Sequence, residues 1–151
     1  MPFRVPCKEV SLLSKINHTK NIGYNKIMNN EIPQNWVNAV NAGNLDAIMD
    51  CYDENASLFA TFEQMPITTR EGIKDYFVGF TSREGAGVEI KQSSQHVEDF
   101  GDGSYLATGL YDFYYTENGS EVRHPARYTF MVRVDQQGKI AHHHSSLLPS
   151  S

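Results

Sequence analysis

YLATGLYDFYYTENGSEVRHPARYTFMVRVDQQGKIAHHHSSLL, residues 105–148, decides the fold. Three long stretches rich in aromatic and β-branched residues, Tyr105 to Tyr115, Val122 to Val134 and Lys139 to Leu148, are parted only by tight turns. Glu117-Asn118-Gly119-Ser120 carries the Asn-Gly pair that a two-residue type I′ hairpin needs, and Asp135-Gln136-Gln137-Gly138 turns the chain back again. Pro149 stops the last strand. The stretch predicts an antiparallel meander.

Upstream, Val88 to Val97 reads as one more strand, set off by Gly85-Ala86-Gly87 and ended by Asp99 to Gly103. Before it lie three helical patterns. Trp36, Val37, Val40 and Ala42 follow Pro33 at helical spacing; Leu45, Ile48, Met49 and Tyr52 follow the Gly43-Asn44 break; and Ile73, Tyr76, Phe77 and Phe80 follow Thr69, a good N-cap. Ala56 to Phe62 is strand-like. Helices followed by a meander of long strands make an α+β domain with the helices on one face of a curved sheet.

The chain has 151 residues, enough for one well-packed domain and too few for a two-domain enzyme of the dehydrogenase or kinase type. Residues 1–30 are polar, Asn- and Lys-rich and weakly periodic, and read as an extension to a single domain over 31–151, with Met28 an alternative start of the compact unit. A net charge of −5 without a long basic run excludes a dedicated nucleic-acid binder and a binder of anionic membranes. No run reaches transmembrane length, and Leu12-Leu13 is the longest apolar piece of the first thirty residues, so no export signal is expected. Cys7 and Cys51 do not form a disulfide framework, and a reduced, cytoplasmic setting is the expectation.

The strand period of two sorts the polar groups. Ile140, His142, His144, Ser146 and Leu148 fall on one face of the last strand, and Ala141, His143, Ser145 and Leu147 on the other. On that reading His142 and His144 face a pocket and His143 points away. Val122, His124, Ala126, Tyr128, Phe130, Val132 and Val134 make the apolar face of the preceding strand. Arg127, flanked by Ala126 and Tyr128, is expected to be partly enclosed, and an enclosed guanidinium needs an acceptor: Asp, Glu, or a ligand carboxylate or phosphate held bidentately. Arg70, at a helix start, is a second candidate of the same kind. Consecutive histidines alternate between faces with no Cys, Asp or Glu at ligand spacing, so neither a metal nor a cofactor is expected. Ser145 and Ser146 lack an orienting carboxylate and an elbow motif, which argues against a nucleophile.

Order and motif together resemble a known family. Trp36-x-x-Ala39-x-x-Ala42-Gly43-Asn44-x-Asp46-Ala47, Tyr52, and Thr69-Arg70-Glu71-Gly72-Ile73-x-x-Tyr76-Phe77 resemble the helical half of the nuclear transport factor 2-like superfamily, which includes ketosteroid isomerases and SnoaL-like cyclases. Ala126 to Phe130, Gly138-Lys139-Ile140 and His142-His143-His144-Ser145-Ser146-x-x-Pro149 are similar to the calcium/calmodulin-dependent protein kinase II association domain and its free-standing bacterial relatives. The likeness runs from about residue 33 to 149 and includes no kinase segment, so no kinase activity is expected. It implies a cone-shaped antiparallel sheet with the N-terminal helices on its concave face, a pocket reached from the open end, and self-association through the outer sheet face as a homodimer or larger homo-oligomer. The function it implies is a small-ligand-binding and self-association module. Arg70 and Arg127 would clamp a small organic acid, His142 or His144 would donate to it, and Tyr52, Tyr76 and Tyr111 would wall the cavity. The alternative is a SnoaL-like or ketosteroid-isomerase-like enzyme with His144 as general acid or base.

Overall fold

The computed structural model describes residues 31–133 and 137–150; the extension expected over 1–30, with Cys7 and Met28, and the span 134–136 lie outside them. Helix α1 covers 31–41 and buries Trp36, Val37, Ala39 and Val40. It stops one residue before Ala42, and Gly43 turns the chain in the left-handed region at φ 62°. Asn44 then caps α2 (Leu45–Cys51) by accepting from the Ala47 amide at 3.1 Å. Strand β1 (Tyr52–Phe59) follows without a loop. Thr69 caps α3 (Arg70–Thr81) through the Gly72 amide, as its sequence predicts. Gly72 is required there: a Cβ would meet Ile67 Cγ2 at 2.8 Å and Thr69 Oγ1 at 2.9 Å.

The expected strand over 88–97 is two short ones, β2 (Gly87–Ile90) and β3 (His96–Asp99), broken by a 3₁₀ turn at Gln92–Ser94, and both pair with β4. The three long strands appear as read: β4 (Tyr105–Glu117), β5 (Ser120–Arg133) and β6 (Lys139–Leu147). Asn118 (φ 51°) and Gly119 (φ 79°) make the predicted type I′ turn between β4 and β5. The sheet order is β1-β6-β5-β4-β2, with every pairing antiparallel except β1 with β6, which is parallel. The fold is α+β, with three helices among the described residues and a curved, mixed, open sheet.

Trp36 stands at the centre, its indole against the rings of Phe77, Tyr111, Phe113, Phe130 and His143. The face of β5 expected to be the core is the core: Ala126, Tyr128, Phe130 and Val132 are all buried. In β6 the alternation breaks. Val132 pairs with Ile140 and Met131 with His142, so Ala141 is an extra residue, a bulge that moves everything beyond it to the opposite face. Ile140 is buried, but so are His143 and Ser145, while His144 is exposed. The expectation that His142 and His144 face the interior and His143 points away is reversed.

Candidate functional site

His143 is 1% exposed and is held at both ring nitrogens: the Tyr52 hydroxyl lies 2.8 Å from Nδ1 and the Tyr111 hydroxyl 3.0 Å from Nε2. Burial, with His142 and His144 nearby, keeps its pKa well below the usual imidazole range, so the ring is neutral. A neutral imidazole has one N–H, so one tyrosine donates to it and the other accepts from it. Burial likewise pushes both phenols well up. For Tyr111 the hydroxyls of Ser145 and Thr61 act in the opposite sense, which places them beside it. Ser145 and Thr61 are themselves in short hydrogen-bond contact. The hydrogen-bonded chain is Tyr52–His143–Tyr111, and the Ser145–Thr61 pair stands beside its Tyr111 end.

Ser145 and Thr61 open into a cleft of about 360 Å³ between the end of β6 and the loop 60–66. Phe59, Met65, Pro66 and Leu147 give it an apolar rim, and Glu63, Gln64, His144 and Ser146 polar walls. Phe62, on the same loop, turns instead into a cluster of Phe80, Phe113, Tyr115 and His124. The loop, the end of α3, the β4–β5 hairpin and the end of β6 thus surround the mouth of the curved sheet. Tyr76 reaches the mouth from α3, and its buried hydroxyl has the Phe62 backbone nearby without a hydrogen bond of acceptable geometry. The indole N–H of Trp36 is likewise close to Tyr52 yet unbonded.

The residues expected to form one site occupy three places. Tyr52, Tyr76 and Tyr111 are on the inner side, and Tyr52 and Tyr111 belong to the buried network with His143. Arg70 donates to the carbonyls of Met49 (3.2 Å) and Tyr52 (3.1 Å), completing the C-terminal end of α2 rather than facing a cavity. Arg127, expected to be enclosed, is exposed, because odd-numbered residues of β5 point outward. Its Nε donates to Ser146 at 3.0 Å, and it shares an outer groove of about 420 Å³ with Thr108, Thr129 and His144. His142 also lies on the outer face, its Nδ1 2.7 Å from the Ser57 hydroxyl, with its pKa lowered by burial and by His144. Arg70 and Arg127 do not meet. Among the described residues no group of three or more His, Cys, Asp or Glu is placed to hold a metal, and no helix is long and apolar enough to cross a membrane.

Sequence reasoning missed Phe62, Arg83 and the role of His143. Arg83 lies 4.4 Å over the Tyr115 ring and 5.7 Å from that of Phe62. His124 was legible, since it falls on the core face of β5.

The SnoaL-like domain family matches residues 34–143. Among solved structures, a protein of Xanthomonas campestris assigned as a calcium/calmodulin-dependent protein kinase II association domain is 31% identical over 77% of this chain and 82% of its own, with a TM-score of 0.68. A nuclear transport factor 2-like protein of Novosphingobium aromaticivorans with a cystatin-like fold shares 12% identity over 97% and 94%, with a TM-score of 0.70. A ketosteroid isomerase-like protein of Erwinia carotovora atroseptica shares 14% over 82% and 96%, with a TM-score of 0.66. No curated protein matches the chain.

Proposed function

The chain belongs to the SnoaL-like domain family, and from that premise we propose that it is a small-ligand-binding and self-association module holding a small carboxylate-bearing molecule at the mouth of its curved sheet. Proteins of this fold bind small ligands or act as isomerase- or cyclase-like enzymes. The observation that carries the reading is the cleft at Thr61 and Ser145, where apolar side chains surround hydroxyls that stand beside the buried Tyr111–His143–Tyr52 chain. An apolar body with one polar head suits such a site. The outer face, where Phe59, Leu106, Leu110 and Met131 stand among His142, His144 and Arg127, suits a second copy of the chain.

A thermal-shift panel of small organic acids tests the ligand. Stabilisation of the wild type that is lost in Ser145→Leu, which fills the cleft, is the expected result; stabilisation unchanged in Ser145→Leu but lost in Arg127→Ala would move the site to the outer groove. Light scattering tests the assembly, with twice the mass of 17.1 kDa or a higher multiple expected and a monomer the contrary result.

One observation favours an enzyme as the second reading. A neutral histidine bonded at both nitrogens, with cleft hydroxyls beside one of its tyrosine partners, can pass a proton by exchanging its tautomers. In that reading the acid–base group is His143, acting through Tyr111, in place of the outward His144.

A further inference from the structure

Phe62 is a half-buried side chain occupying an aromatic seat. Its ring is parallel to Phe80 (11°, centroids 6.4 Å apart) and meets Phe113, Tyr115 and His124 edge-on at 5.6, 6.4 and 5.3 Å. The four rings come from α3, β4 and β5, whereas Phe62 comes from the loop that covers them. That loop is lightly tied: among the described residues its one internal backbone hydrogen bond runs from the Glu63 amide to the Ala60 carbonyl at 3.3 Å, and the Leu58–Ile67 bridge closes its base.

A plug that merely completed a core would need nothing polar around it. Two polar groups nevertheless stand at this ring. The Arg83 guanidinium rests over Phe62 and Tyr115, and no carboxylate among the described residues pairs with it. His124, whose ring meets Phe62 edge-on, buries its Nε2 without a hydrogen-bond partner. Buried polar atoms are nearly always satisfied, so His124 Nε2 beside a displaceable ring points to an absent partner. An arginine on aromatic faces is a ready receiver for a carboxylate.

We infer that the Phe62 seat is the binding site of an aromatic carboxylate, whose ring takes the place of the Phe62 ring between Phe80 and Tyr115 and whose carboxylate pairs with Arg83. His124 Nε2 lies at the edge of the same seat and gains a partner from the bound acid. The inference rests on the mouth of the sheet being the ligand site, and it specifies the class of acid accepted there. The cleft beside Thr61 and Ser145 gives the loop room to move, since Thr61 and residues 63–66 form one of its walls.

Calorimetric titration of the full chain with sodium phenylacetate, and with sodium acetate as the ring-free control, tests it. Phenylacetate should bind and acetate should not. Phe62→Ala leaves the seat open and should bind phenylacetate about tenfold more tightly, because no side chain has to be displaced. Arg83→Gln removes only an exposed charge and should weaken binding about tenfold. If Phe62→Ala fails to fold, Phe62→Leu, which fills the seat without a ring, replaces it with the same expected direction. Phenylacetate binding that is unchanged in either variant, or acetate binding equally well, overturns the ring-exchange while leaving the mouth as ligand site. Heat from neither phenylacetate nor any member of the organic-acid panel overturns both.

Discussion

Replacing His143 by Gln should flatten the acid side of the stability curve. In the folded chain the ring is buried between two phenols and stays neutral well below the usual imidazole pKa. In the unfolded chain it takes up a proton near pH 6.5. Below that pH the unfolded state holds the extra proton, so stability is full above about pH 6.5 and falls as pH decreases toward the depressed folded value. One such proton costs the fold up to about 1 kcal/mol at pH 5.5 and up to about 2 kcal/mol at pH 5.0, before most carboxylates titrate. His142 is shifted in the same direction and adds a smaller loss, damped by its exposure, so the difference between wild type and variant isolates His143. Gln keeps one donor and one acceptor for Tyr52 and Tyr111 but cannot titrate. Urea unfolding at pH 7.5, 5.5 and 5.0 is the assay. The variant should start less stable, having lost the stacking on Phe130 at 4.1 Å, yet lose up to about 2 kcal/mol less than wild type between pH 7.5 and 5.0. Equal losses in the two proteins would refute a neutral, tyrosine-held His143.

Other positions test the fold. Arg70→Met should lower stability by roughly 1–3 kcal/mol in urea melts, because two helix-end carbonyls lose a charged donor, while organic-acid binding is unchanged. Asn41→Ala should cost about 1–2 kcal/mol, since the Asn41 amide both donates to the Val88 carbonyl (3.0 Å) and accepts from its N–H (2.7 Å), tying α1 to the β2 edge. Burial pushes the Cys51 thiol up to about 11, so a disulfide reagent at pH 8 should modify Cys51 only at the rate of unfolding, and faster labelling would contradict its enclosure.

The architecture was readable because its signals are local and periodic. Aromatic strands, the Asn118-Gly119 turn, and the Asn44 and Thr69 caps each specify their own element. The parallel pairing of β1 with β6 was not readable, since nothing local in Tyr52–Phe59 names its partner. Much of the site was lost through one residue. A strict two-residue period put His142 and His144 inside, and the Ala141 bulge, which carries no Gly or Pro to mark it, reversed all three histidines. Arg127 was misjudged for another reason: apolar neighbours along a strand lie on the opposite face and do not enclose it. Arg70 illustrates a third, because a cation at a helix start serves the end of the preceding helix here. Arg83 has no sequence signal at all, as its partners are rings brought from the loop and β4.

The most direct test of the ligand site is the set of ring signals of the chain's six histidines, followed in a proton–carbon spectrum as phenylacetate is added. His124 lines the mouth, His143 is held by the tyrosines behind it, His144 borders both the cleft and the outer groove, and His142 sits on the outer face beside Ser57. The account predicts that His124 shifts most, His143 follows, and His142 stays in place. Shifts at His142 and His144 with His124 and His143 unmoved would put the ligand on the outer face and contradict it.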